Sequence, residues 1–133
     1  MNVTYKKITD NNEVELFSGP ELKTTRINSI SICNVADGTT SVRVNLYLKK
    51  TVYAYAGELD SDGKQSSSNT TTTYYILNST PIPAGAVLQL DSSDICIDYT
   101  SNDCKLYFSS ADASGKIDLI IKKTGTSSTQ NNY

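Results

Sequence analysis

Residues 26–49 read RINSISICNVADGTTSVRVNLYLK and carry the clearest structural pattern in the chain. Between positions 42 and 49, Val, Val, Leu and Leu alternate with Arg, Asn, Tyr and Lys. This period of two is typical of a β-strand that buries one face. Asp37-Gly38 stands between this strand and the hydrophobic stretch before it, and Asp-Gly tolerates the positive φ of tight hairpin turns. The pattern predicts two strands joined as a hairpin.

The composition agrees with an all-β domain. The 133 residues suit one domain. A hydrophobic content of 38% and a mean hydropathy of −0.34 are expected where alternate strand positions face water. Short alternating segments recur along the chain between turn signals, and no segment has a convincing apolar stripe of period 3.6. We therefore predict a single antiparallel β-sandwich. Its strand order could be jelly-roll-like or immunoglobulin-like.

The domain divides into a core and three polar segments. Residues 13–123 are expected to form the sandwich, and residues 1–12 an N-terminal arm or edge strand. Residues 124–133 are expected to form a polar C-terminal tail. Residues 58–73 are polar and of low complexity, so they are interpreted as an exposed excursion from the core. The arms and the excursion are candidates for anchoring the subunit to its neighbours.

Three local features refine the strand prediction. Ser18-Gly19-Pro20 should break a strand, and a long strand or two should follow over residues 22–35. Ile27 is out of phase with Ile30 and Ile32, which indicates a bulge or a bend near Asn28-Ser29. Residues 95–108 are predicted to form a hairpin around a turn at residues 101–103.

Charge and hydropathy argue against nucleic-acid and membrane partners, and the cysteines are interpreted from the expected compartment. The net charge is −2, and the Lys and Arg residues are scattered, so no nucleic-acid surface is expected. No apolar segment approaches the length needed to cross a bilayer, and no signal peptide is recognised at the N-terminus. We expect synthesis in a cytoplasm, where Cys33, Cys96 and Cys104 would be thiols.

No residue pattern favours an enzyme, a cofactor or a metal. The chain has no His, which removes the commonest general base and metal ligand. Asp60-Ser-Asp-Gly63 resembles part of a calcium loop, but Asn69 stands where the bidentate Glu belongs. Asp91-Ser-Ser-Asp94 is interpreted as a solvated turn.

Tyrosine is the unusual residue, with nine copies against two of Phe and none of Trp. Tyr47, Tyr53 and Tyr55 are predicted to face outward from neighbouring strands, and Tyr74 and Tyr133 join them as candidate interface residues. Because Tyr supplies contact area at low entropic cost, we predict a protein-binding patch. A sugar-stacking platform and a simple preference of Tyr for strands are the alternatives.

Three pairs of segments carry a resemblance to a known class of protein. They are Ile30–Asn34 with Val42–Leu48, Tyr74–Asn78 with Ile82–Leu88, and Asp103–Ser109 with Gly115–Ile121. In this order they resemble small β-sandwich virion proteins of tailed bacteriophages, particularly marine and cyanobacterial phages. The resemblance covers about residues 13–123. Asn102-Asp103 departs from it, since Gly-Asp is usual there, and the excursion at 58–73 is longer than in the family.

The resemblance implies a non-enzymatic virion structural protein without a cofactor. Its expected partners are other virion proteins, either the major capsid protein or neck and tail proteins, together with further copies of itself. Capsid decoration or cementing is the first expectation, and a neck or tail role is the alternative. A carbohydrate-binding module at a tail tip is a further alternative. The expected location is the virion, after synthesis in the cytoplasm of a host bacterium.

Overall fold

Eight described β-strands pack as two sheets, with one short helix between the second and third strands. The computed structural model describes residues 2–36, 38–59, 65–95, 97, 103–112 and 116–125, and for 53–59 and 65–69 it describes the backbone alone. The strands are β1 (Asn2–Ile8), β2 (Val14–Phe17), β3 (Thr25–Asn34), β4 (Val42–Leu59), β5 (Gln65–Ile82), β6 (Val87–Asp91), β7 (Cys104–Ser110) and β8 (Ile117–Gly125). The helix is α1 (Gly19–Thr24).

The strand order identifies the sandwich as a jelly roll. Sheet A has the order β1-β8-β3-β6, and sheet B has the order β2-β7-β4-β5. Every neighbouring pair is antiparallel. The pairs β1 with β8, β2 with β7, β3 with β6 and β4 with β5 are nested, as in one long hairpin rolled upon itself. The antiparallel sandwich is confirmed, and the immunoglobulin-like order, which keeps strands 1 and 2 in one sheet, does not occur.

The predicted hairpin across residues 26–49 is wrong in its pairing. Both strands are present as β3 and β4, and Gly38 has the predicted positive φ, of 97°. However, β3 belongs to sheet A and β4 to sheet B. The connection over residues 35–41 is longer than the two-residue loops of tight hairpins, so it lets the chain cross between the sheets.

The bulge in β3 is confirmed. The register between β3 and β8 shifts between Ile27 and Ser29. The shift turns Ile27 toward the same buried side as Ile30, and both side chains are at most 1% exposed. An irregular hydrophobic period therefore indicated the bulge correctly.

The predicted strand over residues 22–35 is wrong at its start, because α1 occupies residues 19–24. Ser18 caps this helix: its hydroxyl accepts from the Glu21 backbone N–H, and the Glu21 carboxylate accepts from the Ser18 backbone N–H. This reciprocal capping box, with Pro20 in the first turn, stabilises a helix that buries Leu22.

The predicted hairpin over residues 95–108 is also wrong. Ile95 and Ile97 lie outside any strand, and residues 96 and 98–102 lie outside the described part of the chain. β7 pairs with β2 on one side and with β4 on the other. Both of its edges are therefore occupied, and no place remains beside it for another strand.

Parts of all three polar segments form strands. The N-terminal segment forms β1, an edge strand paired with β8. Much of the predicted excursion is strand, because β5 begins at Gln65, although residues 70–73 are exposed as expected. Thr124 and Gly125 belong to β8 rather than to the tail, and residues 60–64 and 126–133 lie outside the described part.

The core lies between the two sheets and is filled by aliphatic and Phe side chains. The side chains of β4 that were predicted to face inward are all at most 7% exposed; they are Val42, Val44, Leu46 and Leu48. The alternation read from residues 42–48 therefore identified the buried face correctly. The largest fully buried side chains are Phe17, Phe108, Leu22, Ile27, Ile30, Ile32, Leu46, Ile82, Leu106, Ile117, Leu119 and Ile121.

Asn34 is a fully buried polar residue that joins two corners of the sandwich. Its amide nitrogen donates to the backbone carbonyl of Ile82 at 2.8 Å and to that of Thr40 at 3.1 Å. Its amide oxygen accepts from the Ala36 N–H, and its backbone carbonyl accepts from the Gly85 N–H. This network fixes the crossover from β3 to β4 against the turn between β5 and β6.

Candidate protein interface

A row of aromatic side chains crosses the outer face of sheet B. Tyr107, Tyr47 and Tyr75 stand directly opposite one another on β7, β4 and β5, and we call these three residues the tyrosine row. The rings of Tyr47 and Tyr107 are stacked with centroids 5.8 Å apart. The rings of Tyr47 and Tyr75 are tilted at 5.4 Å. Cross-strand aromatic pairs of this kind stabilise a sheet.

A carboxylate and an ammonium group close over the centre of the tyrosine row. The Tyr47 hydroxyl donates to Glu13 Oε1, and Lys49 Nζ lies 2.7 Å from the same oxygen. Lys49 Nζ also lies 4.7 Å from the ring centroid of Tyr107, as a cation over an aromatic face. The strand order of sheet B brings these groups together. Glu13 directly precedes β2, and β7 alone separates β2 from β4, which carries Tyr47 and Lys49.

These contacts shift the titration of all three groups. The hydrogen bond from Lys49, followed by that from Tyr47, lowers the pKa of Glu13. The hydrogen bond to Glu13 raises the pKa of Lys49. Burial, followed by the hydrogen bond to Glu13, raises the pKa of Tyr47 far above its ordinary value. The cluster is therefore fully formed at neutral pH, with one negative, one positive and one neutral member.

A second ion pair extends the cluster toward the edge of sheet B. The Tyr107 hydroxyl donates to Glu15 Oε1 at 3.3 Å, and Lys105 Nζ lies 3.8 Å from that oxygen. Burial and the charge of Glu15 raise the pKa of Tyr107. The outer face of sheet B thus alternates aromatic rings with paired charges, a composition typical of contact surfaces that include a polar rim.

The structure distributes the predicted interface tyrosines unequally. Tyr47 lies on the predicted outer face but is only 7% exposed, since its neighbours cover it. Tyr74 is 56% exposed and pairs with Leu48, so it shares the other face of sheet B. Tyr53 and Tyr55 lie on β4 with Tyr47 rather than on neighbouring strands, and their side chains are outside the described part, as is Tyr133.

Sequence reasoning did not select Tyr75 and Tyr107, the two partners of Tyr47. Tyr75 is 55% exposed and Tyr107 is half-buried. Tyr107 alternates with Leu106 and Phe108 in the sequence, and this alternation could have predicted that its side chain faces outward. Which rings meet depends on the register between distant strands, which no local pattern encodes.

Strands β4 and β5 extend beyond the sandwich as a two-stranded ribbon. β4 pairs with β7 as far as Lys50, and the Thr51 N–H donates to the Asp103 carbonyl at 2.9 Å. From Thr51 to Leu59, β5 is the neighbour of β4 among the described residues. At about 3.3 Å per residue this ribbon is roughly 30 Å long. Val52, 52% exposed, lies at its base on the face that is buried elsewhere.

The outer face of sheet A offers a smaller surface at its β1 edge. A shallow depression of about 250 Å³ lies between β1 and β8. Tyr5, at 73% exposure, and the ion pair of Lys7 with Asp118 at 3.0 Å border it. The depression has the size of a small contact site. The residues that line it include one acid, Asp118, and no thiol, so no group of acids or thiols converges there.

The acidic motif Asp91-Ser-Ser-Asp94 is a hydrogen-bonded turn in the described structure. Asp91 Oδ1 accepts from the Ser93 and Asp94 N–H groups, and Asp94 Oδ2 accepts from the Asp91 N–H, which is the bonding of a capped turn. The hydrogen bond from the Ser93 hydroxyl, with those from the backbone, lowers the pKa of Asp91. Asp60-Ser-Asp-Gly63 lies outside the described residues. No group of three His, Cys, Asp or Glu side chains converges elsewhere in the part that is described.

Comparisons with protein-family models, with curated proteins and with solved structures gave no match to this chain. The described helix α1 has six residues, and the described part of the chain contains no helix with the length and hydropathy of a membrane span.

The contacts among Glu13, Tyr47 and Lys49, which we call the Glu13 cluster, make a testable contribution to stability. Glu13→Gln should lower the free energy of unfolding at pH 7 by about 0.5–1 kcal/mol, a modest loss because both charged partners are partly exposed. Since folding lowers the pKa of Glu13, its contribution is fully present above the unfolded-state pKa of about 4.3 and declines as the pH falls through the lower folded-state pKa. Urea unfolding of both proteins at pH 7 and pH 3 measures the difference.

Glu15→Gln is the matched control, because Glu15 makes longer contacts in the same sheet and should contribute less. An equal loss for the two variants, or a Glu13→Gln loss that persists at pH 3, would contradict the assigned role of the cluster.

Proposed function

We propose that this chain is a non-enzymatic structural protein of a bacteriophage particle, which decorates or cements the capsid through protein–protein contacts. One observation carries the proposal. The three sequence blocks that resemble phage virion proteins fold together as the six consecutive strands β3 to β8, in a jelly-roll order. The jelly roll is an architecture of viral capsid and lectin domains.

The blocks also contact one another through a specific residue. Asn34 ends the first segment of the first block, and its amide nitrogen donates to the carbonyl of Ile82, which begins the second segment of the second block. Its backbone carbonyl accepts from Gly85 in the Pro-Ala-Gly corner of the same block. The resemblance is therefore to residues that build one packed unit, which is stronger support than three unrelated short matches.

The surfaces described above are suited to holding neighbouring subunits. The tyrosine row presents the exposed ring of Tyr75 beside two ion pairs, Glu13 with Lys49 and Glu15 with Lys105. The ribbon of β4 and β5 and the edge strands give backbone groups that can pair with another chain. The proposed partners are the major capsid protein or neck and tail proteins, and the proposed location is the virion.

Copy number in purified particles tests the proposal. An antiserum against the purified chain, used for immunogold labelling of particles from a phage that carries the gene, should decorate them. Quantitative mass spectrometry against the major capsid protein should then give hundreds of copies for a decoration protein, or a small multiple of three or six for a neck or tail protein. Particles that contain none of the chain would contradict the virion role.

Carbohydrate binding is a second candidate, favoured by one observation. The Tyr75 ring is 55% exposed on a face that also carries the carboxylates of Glu13 and Glu15, and aromatic rings beside carboxylates can hold sugars. Against it, Lys49 already lies over the ring of Tyr107. A glycan array that gives binding with the natural chain and none with Tyr75→Ala would favour a carbohydrate-binding module.

A further inference from the structure

We propose that the outer edge of β5 pairs with the same edge of a second copy of this chain, in antiparallel orientation about a two-fold axis near Thr71. The resulting dimer would join the two B sheets into one continuous sheet. The proposal does not depend on the virion role, because it concerns the isolated chain.

β5 is the long edge of the sandwich that carries no charge. All residues from Gln65 to Ile82 are uncharged. The other edge strands are shorter or charged: β1 carries Lys6 and Lys7, and β2 carries Glu15. β6 has five residues and ends at Asp91. Natural sheets protect their exposed edges with charges, with bulges or by shortness, so an uncharged edge with a long bulge-free stretch is suited to pairing.

The regular part of this edge is well defined. β5 follows β4 without a register shift from Ser67, opposite Tyr55, to Tyr75, opposite Tyr47. Beyond Tyr75 the register shifts, and Ser79 has a positive φ of 49°. The bulge-free stretch of residues 67–75 is about 30 Å long, and Thr71 is at its centre. An axis at Thr71 therefore gives the largest number of paired residues.

The composition of the edge favours a second copy over a charged partner strand. About an axis at Thr71, Thr70 stands opposite Thr72 of the other copy, and Asn69 stands opposite Thr73. Threonine pairs across antiparallel strands are favourable, and no like charges are brought together. The nearest lysines, Lys49 and Lys50 on β4, lie one strand further in, opposite Thr73 and Thr72. The two β4 strands would be about 14 Å apart, beyond the screening length at physiological salt.

Pairing would also complete the ribbon. Past Thr51 the ribbon has two strands in the described structure, and a lone two-stranded ribbon is only marginally stable in water. A second copy would make it four-stranded at the same place. The ribbon is thus the part of the molecule that gains most from the dimer.

Sedimentation of the purified full chain tests the pairing. Between about 1 and 500 µM the chain should pass from monomer to a dimer of twice its 14.5 kDa mass, with a Kd of roughly 10–100 µM because the interface is small. Thr71→Lys places two lysines opposite each other at the axis and should weaken the dimer at least ~10-fold. Thr39→Lys adds the same charge at an exposed position between β3 and β4 and should leave the dimer intact.

A cross-link tests the register. With oxidised glutathione added as the two-electron oxidant, Thr71→Cys should form a reducible disulfide dimer, since residues opposite each other at the axis of an antiparallel pair have Cα atoms about 4.5–5.5 Å apart. The natural chain gives the background from its own cysteines, and Thr39→Cys gives the background from an exposed cysteine away from β5. Far-UV circular dichroism confirms that each variant is folded.

A chain that stays monomeric throughout this range overturns the inference, as does a dimer that Thr71→Lys does not weaken. Either result would leave the proposed virion role untouched, because particle incorporation is measured separately.

Discussion

Asn34→Asp should lower the free energy of unfolding by roughly 3–4 kcal/mol at pH 7, the loss expected for an unpaired buried charge. The substitution keeps the shape of the side chain but removes the amide N–H groups that donate to Ile82 and Thr40. A carboxylate would then face two carbonyl oxygens at a site that is 0% exposed. Urea unfolding followed by circular dichroism measures the loss.

The pH dependence of this variant separates charge from shape. Burial beside carbonyls raises the pKa of the introduced carboxyl in the folded state, so the folded state binds a proton more tightly than the unfolded state. The deficit relative to the natural chain should therefore shrink as the pH falls from 7 toward 4. Asn45→Asp is the control, because Asn45 is only half-buried on the outer face and should lose much less. A deficit that is equal at both pH values would count against the buried network.

Phe108→Ala should cost about 3–5 kcal/mol, because Phe108 is 0% exposed and its removal leaves a cavity between the sheets. Phe108 stands opposite Val14 on β2 and Leu46 on β4, so the cavity would open at the centre of sheet B. A shift of the urea midpoint without a change in slope would show that the fold is kept but weakened.

Tyr74→Ala provides the comparison for Phe108→Ala. It removes a larger side chain that is 56% exposed, so its effect on unfolding should stay within about 0.5 kcal/mol. Comparable losses for the two variants would mean that the core is not where the structure places it.

Local sequence patterns predicted the strands and their buried faces, but not their partners. The alternation at residues 42–48 and the irregular phase of Ile27 both proved informative, since side-chain period and bulges are properties of a single strand. The pairing of β3 and β4 was mispredicted, because Asp37-Gly38 is compatible with a tight hairpin and with a crossover alike. Strand partners depend on contacts between residues far apart in sequence.

In the candidate interface, too, the local pattern predicted the direction of a side chain but not its partners. The outward phase of Tyr47 followed from alternation, whereas its burial under Tyr75 and Tyr107 follows from the register of β5 and β7. The helix α1 is a different case. Its signal, Ser18 followed three residues later by Glu21, is a local capping box and was present in the sequence.

The nested pairing of the strands has a consequence for how the chain reaches its folded state. β1 finds its partner in β8, more than a hundred residues away, with Asn2 opposite Lys123. Sheet A therefore cannot close until β8 has been synthesised and is free to pair with β1 and β3. Such distant contacts give a high contact order, for which folding times of milliseconds to seconds are usual. Among the paired strands, β4 and β5 are separated by the fewest residues, so we expect the sandwich to assemble outward from them, with β1 and β8 pairing last.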